Sequence, residues 1–172
     1  TKIPTCLSWS GIDILPSNNN SFMGRFGIYG QRAANFIVQN ADLLIVIGSR
    51  LALPQTGYDL NAFANNAKIV VVDIDEELQF PIEKITKHFK IDCKVFLEEL
   101  TTKLEAFTGI NDKWINYCNK IKAKYPLTLK EYNSSNYINS YNFINSLSSY
   151  LKNEHIIVTD MGTALLSGHQ SI

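Results

Sequence analysis

Asn40-Ala41-Asp42-Leu43-Leu44-Ile45-Val46-Ile47-Gly48-Ser49-Arg50 and Lys68-Ile69-Val70-Val71-Val72-Asp73-Ile74-Asp75 are the two stretches whose reading decides the fold. Each contains a short apolar run, rich in β-branched residues and stopped by a glycine or an aspartate, which is the pattern of a strand. Runs that are apolar throughout, without alternation, predict a sheet covered on both faces, hence parallel strands joined by crossover helices. The flanking residues agree. Gln31 to Gln39 places Ala33, Ala34, Phe36, Ile37 and Val38 on one broad helical face ahead of the first run, and Leu60 to Asn66 reads as a short helix ahead of the second. The expected class is α/β, a Rossmann-like open parallel sheet with helices on both faces.

Working outward, Ile3 to Trp9 is apolar enough for a further strand, and Pro16-Ser17-Asn18-Asn19-Asn20-Ser21 is a cluster of turn formers. Asp92 is placed to cap a helix running through Phe107, and Asn111 or Asp112 to start another through Tyr125. Pro126 to Asn139 has no strong period and reads as a linker. Beyond it, Ser140 to Leu151 has the spacing of an amphipathic helix, and His155-Ile156-Ile157-Val158-Thr159-Asp160 that of a third buried strand. The expected organisation is a first domain over 1–125, a linker over 126–139, and the incomplete beginning of a second domain over 140–172. The chain is expected to be a piece of a longer protein.

Composition narrows the function. The 172 residues are 45% hydrophobic and 19% charged, with sixteen basic and sixteen acidic side chains, so the formal charge is zero. That balance argues against a nucleic-acid or polybasic membrane partner. Ten lysines against five carboxylates between Lys84 and Lys130 do not form a run, and they read as a solvated face. No apolar stretch approaches the roughly 20 residues of a membrane span, and a cytoplasmic protein is expected. Cys6, Cys93 and Cys118 are widely spaced, without a CxxC or a paired histidine, which predicts reduced thiols and no metal site.

Five motifs stand at places where chemistry is done. Gly24-Arg25-Phe26-Gly27-Ile28-Tyr29-Gly30 spaces its glycines three apart immediately before a helix. Such a loop can hold a phosphate, pack on a flat cofactor ring, or serve only as structure. Gly48-Ser49-Arg50 and Asp73-Ile74-Asp75 stand at the C-terminal ends of the two expected strands, the edge where open α/β sheets bind nucleotides. The competing readings are that Gly48 only ends its strand and that Asp75 only caps a helix begun by Glu76 and Glu77. Asp160-Met161-Gly162-Thr163 repeats the strand-then-glycine logic, with Thr163 able to bond a phosphate. His169 beside Gln170 is a candidate for acid-base or positioning chemistry, because imidazole changes charge near neutral pH.

Taken together, Gly24-x-x-Gly27-x-x-Gly30-x-Arg32-Ala33-Ala34-Asn35, Asn40 to Leu51, Gln55-Thr56-Gly57-Tyr58, Phe63-Ala64, Ala67-Lys68 and Val72-Asp73-Ile74-Asp75 resemble the central domain of the acetolactate synthase-like thiamine diphosphate enzymes over roughly residues 20 to 105. Asp160 to Gln170 resembles the opening of that family's diphosphate-binding domain. The resemblance implies a six-stranded central domain lacking its first strand and helix here, in which Gly48, Ser49, Arg50, Asp73, Ile74, Asp75 and Asp92-Cys93 hold the adenosine half of FAD, or ADP, or nothing. Flavin-binding members usually carry Phe-Asp-Asp-Arg after the arginine; Leu51-Ala52-Leu53-Pro54-Gln55 stands there instead, which argues against FAD. The resemblance further implies that Gly162 and Thr163 contact thiamine diphosphate, that His169 and Gln170 face its thiazolium and the substrate, and that Mg2+ accompanies the cofactor. The implied parent is a homodimer or homotetramer that decarboxylates a 2-keto acid, or transfers the resulting fragment to an acceptor. The chain has no Gly-Asp-Gly motif for the magnesium ion, so by itself it is expected to be inactive. The alternative is a non-catalytic nucleotide-binding or spacer domain.

Overall fold

A computed structural model of the chain describes residues 3–104, 111–133, 136–152 and 154–172. Two parallel sheets organise it. Strand β1 (Thr5–Leu7) pairs with β2 (Phe22–Arg25), and β3 (Leu43–Ile47), β4 (Lys68–Asp73) and β5 (Ile85–Lys90) form a three-stranded sheet in that order. Helix α1 (Arg32–Gln39) precedes β3, and a single turn, α2 (Leu53–Thr56), follows it. Helices α3 (Cys93–Leu104), α4 (Asp112–Lys124), α5 (Ser140–Ser148) and α6 (Thr163–Ser171) complete the order, with a short 3-10 turn at Lys130–Asn133 inside the expected linker. The parallel α/β architecture is thus as expected.

The main core lies between α1 and the three-stranded sheet, where Val38, Val46, Leu51, Phe63, Ile69, Val71 and Phe80 are buried together. A smaller core holds Met23, Ile37 and Cys118, and it ties α4 to β2 and α1. Lys122 on α4 adds a polar anchor, its Nζ donating to the Phe22 carbonyl at 2.5 Å.

Four expectations need correction. The strand expected over Ile3 to Trp9 is only Thr5–Leu7, and Trp9 turns into a 3-10 segment, Trp9–Gly11. The run Leu43 to Gly48 is not covered on both faces: β3 is the sheet edge, and Leu43 and Ile45 remain 50% and 37% exposed. Leu60 to Asn66 is a chain of turns and not a helix. Asp59 Oδ1 accepts from the Asn61 and Ala62 amides, and Ala64 lies at φ +43°, in the left-handed region that ends helical hydrogen bonding. His155 to Asp160 is neither a strand nor buried, with Ile156 and Val158 about nine-tenths exposed. A parallel strand needs a neighbour to take its backbone bonds, and none lies beside this segment among the described residues. The helix expected through Phe107 is Cys93–Leu104, and residues 105–107 lie outside the described ones.

Candidate functional site

The strand ends gather the first group of candidates. Where β3 stops, Gly48 takes φ +58°, and a side chain there would meet Cys93 Sγ at 3.2 Å, so the start of α3 closes tightly against this turn. Gly48 N donates to Val72 O at 2.9 Å and the Cys93 thiol donates to the same carbonyl at 3.7 Å, fixing the two strand ends side by side. Leu51, buried and at φ +48°, then carries the chain back into the core. Ser49 Oγ accepts from Gln55 Nε2 at 2.9 Å, and Gln55 Oε1 takes the Ala52 amide at 2.9 Å, so the segment between β3 and α2 is braced from within.

Across this edge, Arg50 Nη2 and Asp75 Oδ2 form an ion pair at 2.7 Å. Both groups are well exposed, so the pair contributes less than about 1 kcal/mol and a ligand can displace it. Asp73 is buried, and its Oδ1 accepts the Asp75 amide at 3.0 Å; Ile74 projects outward, 63% exposed. No helix follows Asp75, so the reading of Asp75 as a helix cap is excluded. Asp92 does cap a helix: Oδ1 accepts the Lys94 amide at 2.8 Å and the Val95 amide at 3.3 Å at the start of α3. Burial, then the charges of Asp73 and Asp92, push the Cys93 thiol above its ordinary pKa. Gly48, Ser49, Arg50, Asp73, Ile74, Asp75 and Asp92 thus occupy one edge of the sheet.

In the glycine-rich loop, six backbone amides are already bonded within the fold. Arg25 N donates to Gln31 Oε1, Phe26 N to Leu7 O, Gly27 N to Asn35 Oδ1, Ile28 N to Pro54 O, Gly30 N to Gly27 O and Gln31 N to Arg25 O. Satisfied donors of this kind have no capacity left for an anion. The loop is a structural knot on which α6 rests.

Helix α6 carries the remaining candidates at its two ends. Gly162, at φ +97° with open space around it, precedes the exposed Thr163 at the helix N-terminus. His169 and Gln170 lie six and seven residues later, about 9–10 Å along the axis at 1.5 Å per residue. His169 Nδ1 donates to Leu165 O at 2.9 Å, which leaves Nε2 available, and its ring lies 5.4 Å from that of Trp9. Gln170 is buried and its Nε2 donates to Tyr29 O, so its amide is committed to the loop. An open groove of about 410 Å³ runs beside it, walled by Tyr29, Arg32, Tyr125, Tyr141 and Leu166.

Two residues at this junction escape a sequence reading. Arg25 and Gln31 both bond the Gln170 carbonyl, at 3.0 and 2.8 Å, across more than 130 positions of chain. No local pattern announces such contacts.

Comparison with known proteins agrees with this architecture. Residues 1–100 match the family described as thiamine pyrophosphate enzyme, central domain. The chain therefore belongs to the thiamine pyrophosphate enzymes, in their acetolactate synthase-like branch. It is 28% identical to the acetolactate synthase isozyme 1 large subunit of Escherichia coli, 31% to the acetolactate synthase large subunit of Cyanidium caldarium and 33% to a probable acetolactate synthase large subunit of Methanocaldococcus jannaschii. Each similarity covers 94% of the chain and 28% of the relative, so the chain spans a little over a quarter of the length of these relatives.

Proposed function

We propose that the chain is the central domain, over 1–125, with a linker over 126–139 and the opening of the diphosphate-binding domain over 140–172, of a thiamine diphosphate-dependent 2-keto acid decarboxylase or carboligase. The observation that carries this reading is the family match over residues 1–100, extended by acetolactate synthase similarity across 94% of the chain. The residues present fit the cofactor at the start of α6. Gly162 leaves open space, Thr163 is exposed, and the first turn of the helix holds no carboxylate to repel a diphosphate. Gly162 and Thr163 would hold the diphosphate tail together with Mg2+, and His169, through Nε2, would face the thiazolium and substrate. Gln170 acts by fixing the helix, since its side-chain amide is bonded to Tyr29. When bound, thiamine diphosphate supplies the nucleophilic carbon and the electron sink for decarboxylation.

At the sheet edge, Gly48, Ser49, Arg50, Asp73, Ile74, Asp75 and Asp92 would hold an adenine nucleotide, ADP in preference to FAD. A second reading, a spacer domain holding no nucleotide, is favoured by the Leu51 to Gln55 sequence and by the bond that ties Gln55 to Ser49. We place the parent as a cytoplasmic homodimer or homotetramer; among the described residues no helix is long and apolar enough to cross a membrane.

The test is pyruvate consumption by the product of the complete reading frame with thiamine diphosphate and Mg2+, beside the 172-residue chain alone. Turnover by the former and none by the latter is expected. An inactive complete product that also fails to bind the cofactor would leave the spacer reading.

A further inference from the structure

We propose that the sheet edge and the glycine-rich loop form one coupled unit, with Gln55 as the positioning residue that joins Ser49 to the seat of Gly27 and Ile28. Gln55 Nε2 donates to Ser49 Oγ at 2.9 Å, and Gln55 Oε1 accepts the Ala52 amide at 2.9 Å. The Ala52 carbonyl accepts in turn from the Gln55 amide at 2.8 Å and the Thr56 amide at 3.2 Å, so main chain and side chain together close the turn of α2. Pro54 stands inside that turn with φ fixed by its ring, and its carbonyl accepts the Ile28 amide at 2.8 Å. Gly27 fits against the same oxygen with no room for a Cβ, which would lie 2.6 Å away. Asn35 holds Gly27 from its own helix: Oδ1 accepts the Gly27 amide at 2.8 Å, and Nδ2 donates to the Gly27 carbonyl at 2.9 Å.

This arrangement has little slack. Gly27 is buried and held by Asn35 as well as by its fit against Pro54, so a shift of Pro54 is passed to the loop and not absorbed. Leu51, between Ser49 and Gln55, takes φ +48°, a left-handed backbone that a leucine keeps only where its surroundings hold it there. The Ser49 hydroxyl accepts from Gln55 and still has its own proton to donate. A ligand oxygen that takes that proton extends the hydrogen-bonded chain, and each bond in such a chain polarises the next. Occupancy of the edge therefore tightens the Pro54 seat and the backbone of Ile28 and Tyr29, whose ring lies 5.7 Å from that of Trp9. By linkage, an ordered loop favours occupancy of the edge by the same factor.

This deepens the nucleotide reading of the sheet edge and rests on it for the ligand, but the coupling itself is tested without one. In the complete protein, amide hydrogen exchange is followed by mass spectrometry for the peptide carrying Ile28 and for β4, in a double-mutant cycle of Ser49→Ala and Gln55→Leu. Ser49→Ala should speed exchange at Ile28 about fivefold, the worth of one hydrogen bond, and Gln55→Leu at least as much, with β4 unchanged. In the double variant Ser49→Ala should add nothing further. Gln55→Glu, whose carboxylate accepts both the Ala52 amide and the Ser49 hydroxyl, should keep the parent's rate. If Gln55→Leu does not fold, Gln55→Ala takes its place in the cycle. The proposal is overturned if Ile28 keeps its protection in Ser49→Ala, if the two effects add, or if Ile28 and β4 lose protection together. A complete protein that shows the expected pattern but binds no ADP would remove the nucleotide reading and leave the coupling standing.

Discussion

Gly27 bears a severe steric demand. Its φ is +132°, and a Cβ there would lie 2.6 Å from the Pro54 carbonyl oxygen, which is backbone and cannot step aside. Gly27→Ala should therefore cost about 2–4 kcal/mol, combining backbone strain with overpacking. Gly57, at φ +81° with nothing within 4 Å, is the control, and its alanine variant should cost only about 1 kcal/mol. Denaturant titration of both variants checks the difference. At the same scale, burial pushes the Cys6 thiol up to about 12 and the Cys118 thiol up to about 11. Because the folded values lie above the ordinary 9.0, the fold favours the protonated thiols. That stability is present below pH 9 and is lost as pH rises through 11–12. Unfolding measured between pH 8 and 11 should show a decline that Cys6→Ala diminishes. Cys93, partly exposed, should react with a thiol reagent before the buried Cys118.

Elements differ in how much of themselves they write into the sequence. β4 is central in its sheet and apolar on both faces, so Lys68-Ile69-Val70-Val71-Val72-Asp73 announces it. β5, Ile85-Thr86-Lys87-His88-Phe89-Lys90, lies at the opposite edge with Lys87 and Lys90 exposed, and such an edge needs little hydrophobic signal. It was not legible, nor was the four-residue β2 beside its turn cluster. His155 to Asp160 shows the converse: β-branched composition without a neighbour yields no strand. These differences predict unequal mutational costs. Val71→Ala should lose about 2–3 kcal/mol from two buried methyl groups and the space they leave, whereas Ile45→Thr on the open face should lose about 0.5 kcal/mol or less. Asp92→Ala removes the cap of α3 and should cost about 1 kcal/mol. Thermal unfolding of the three variants gives the ranking directly.

For the molecule as a whole, the sheet edge was legible because strand ends and their small or acidic residues are contiguous in sequence. The docking of α6 was not, because Arg25, Gln31, Tyr29 and Gln170 are joined only by the fold. We propose that the diphosphate tail of thiamine diphosphate rests at Gly162 and Thr163 in the parent enzyme. Calorimetric titration of thiamine diphosphate with Mg2+ into the complete protein tests it most directly, beside a Thr163→Ala variant. Saturable binding weakened about tenfold by the variant is expected, the loss of one hydrogen bond to a charged group. No binding, or binding that Thr163→Ala leaves unchanged, would remove Gly162 and Thr163 as the diphosphate site.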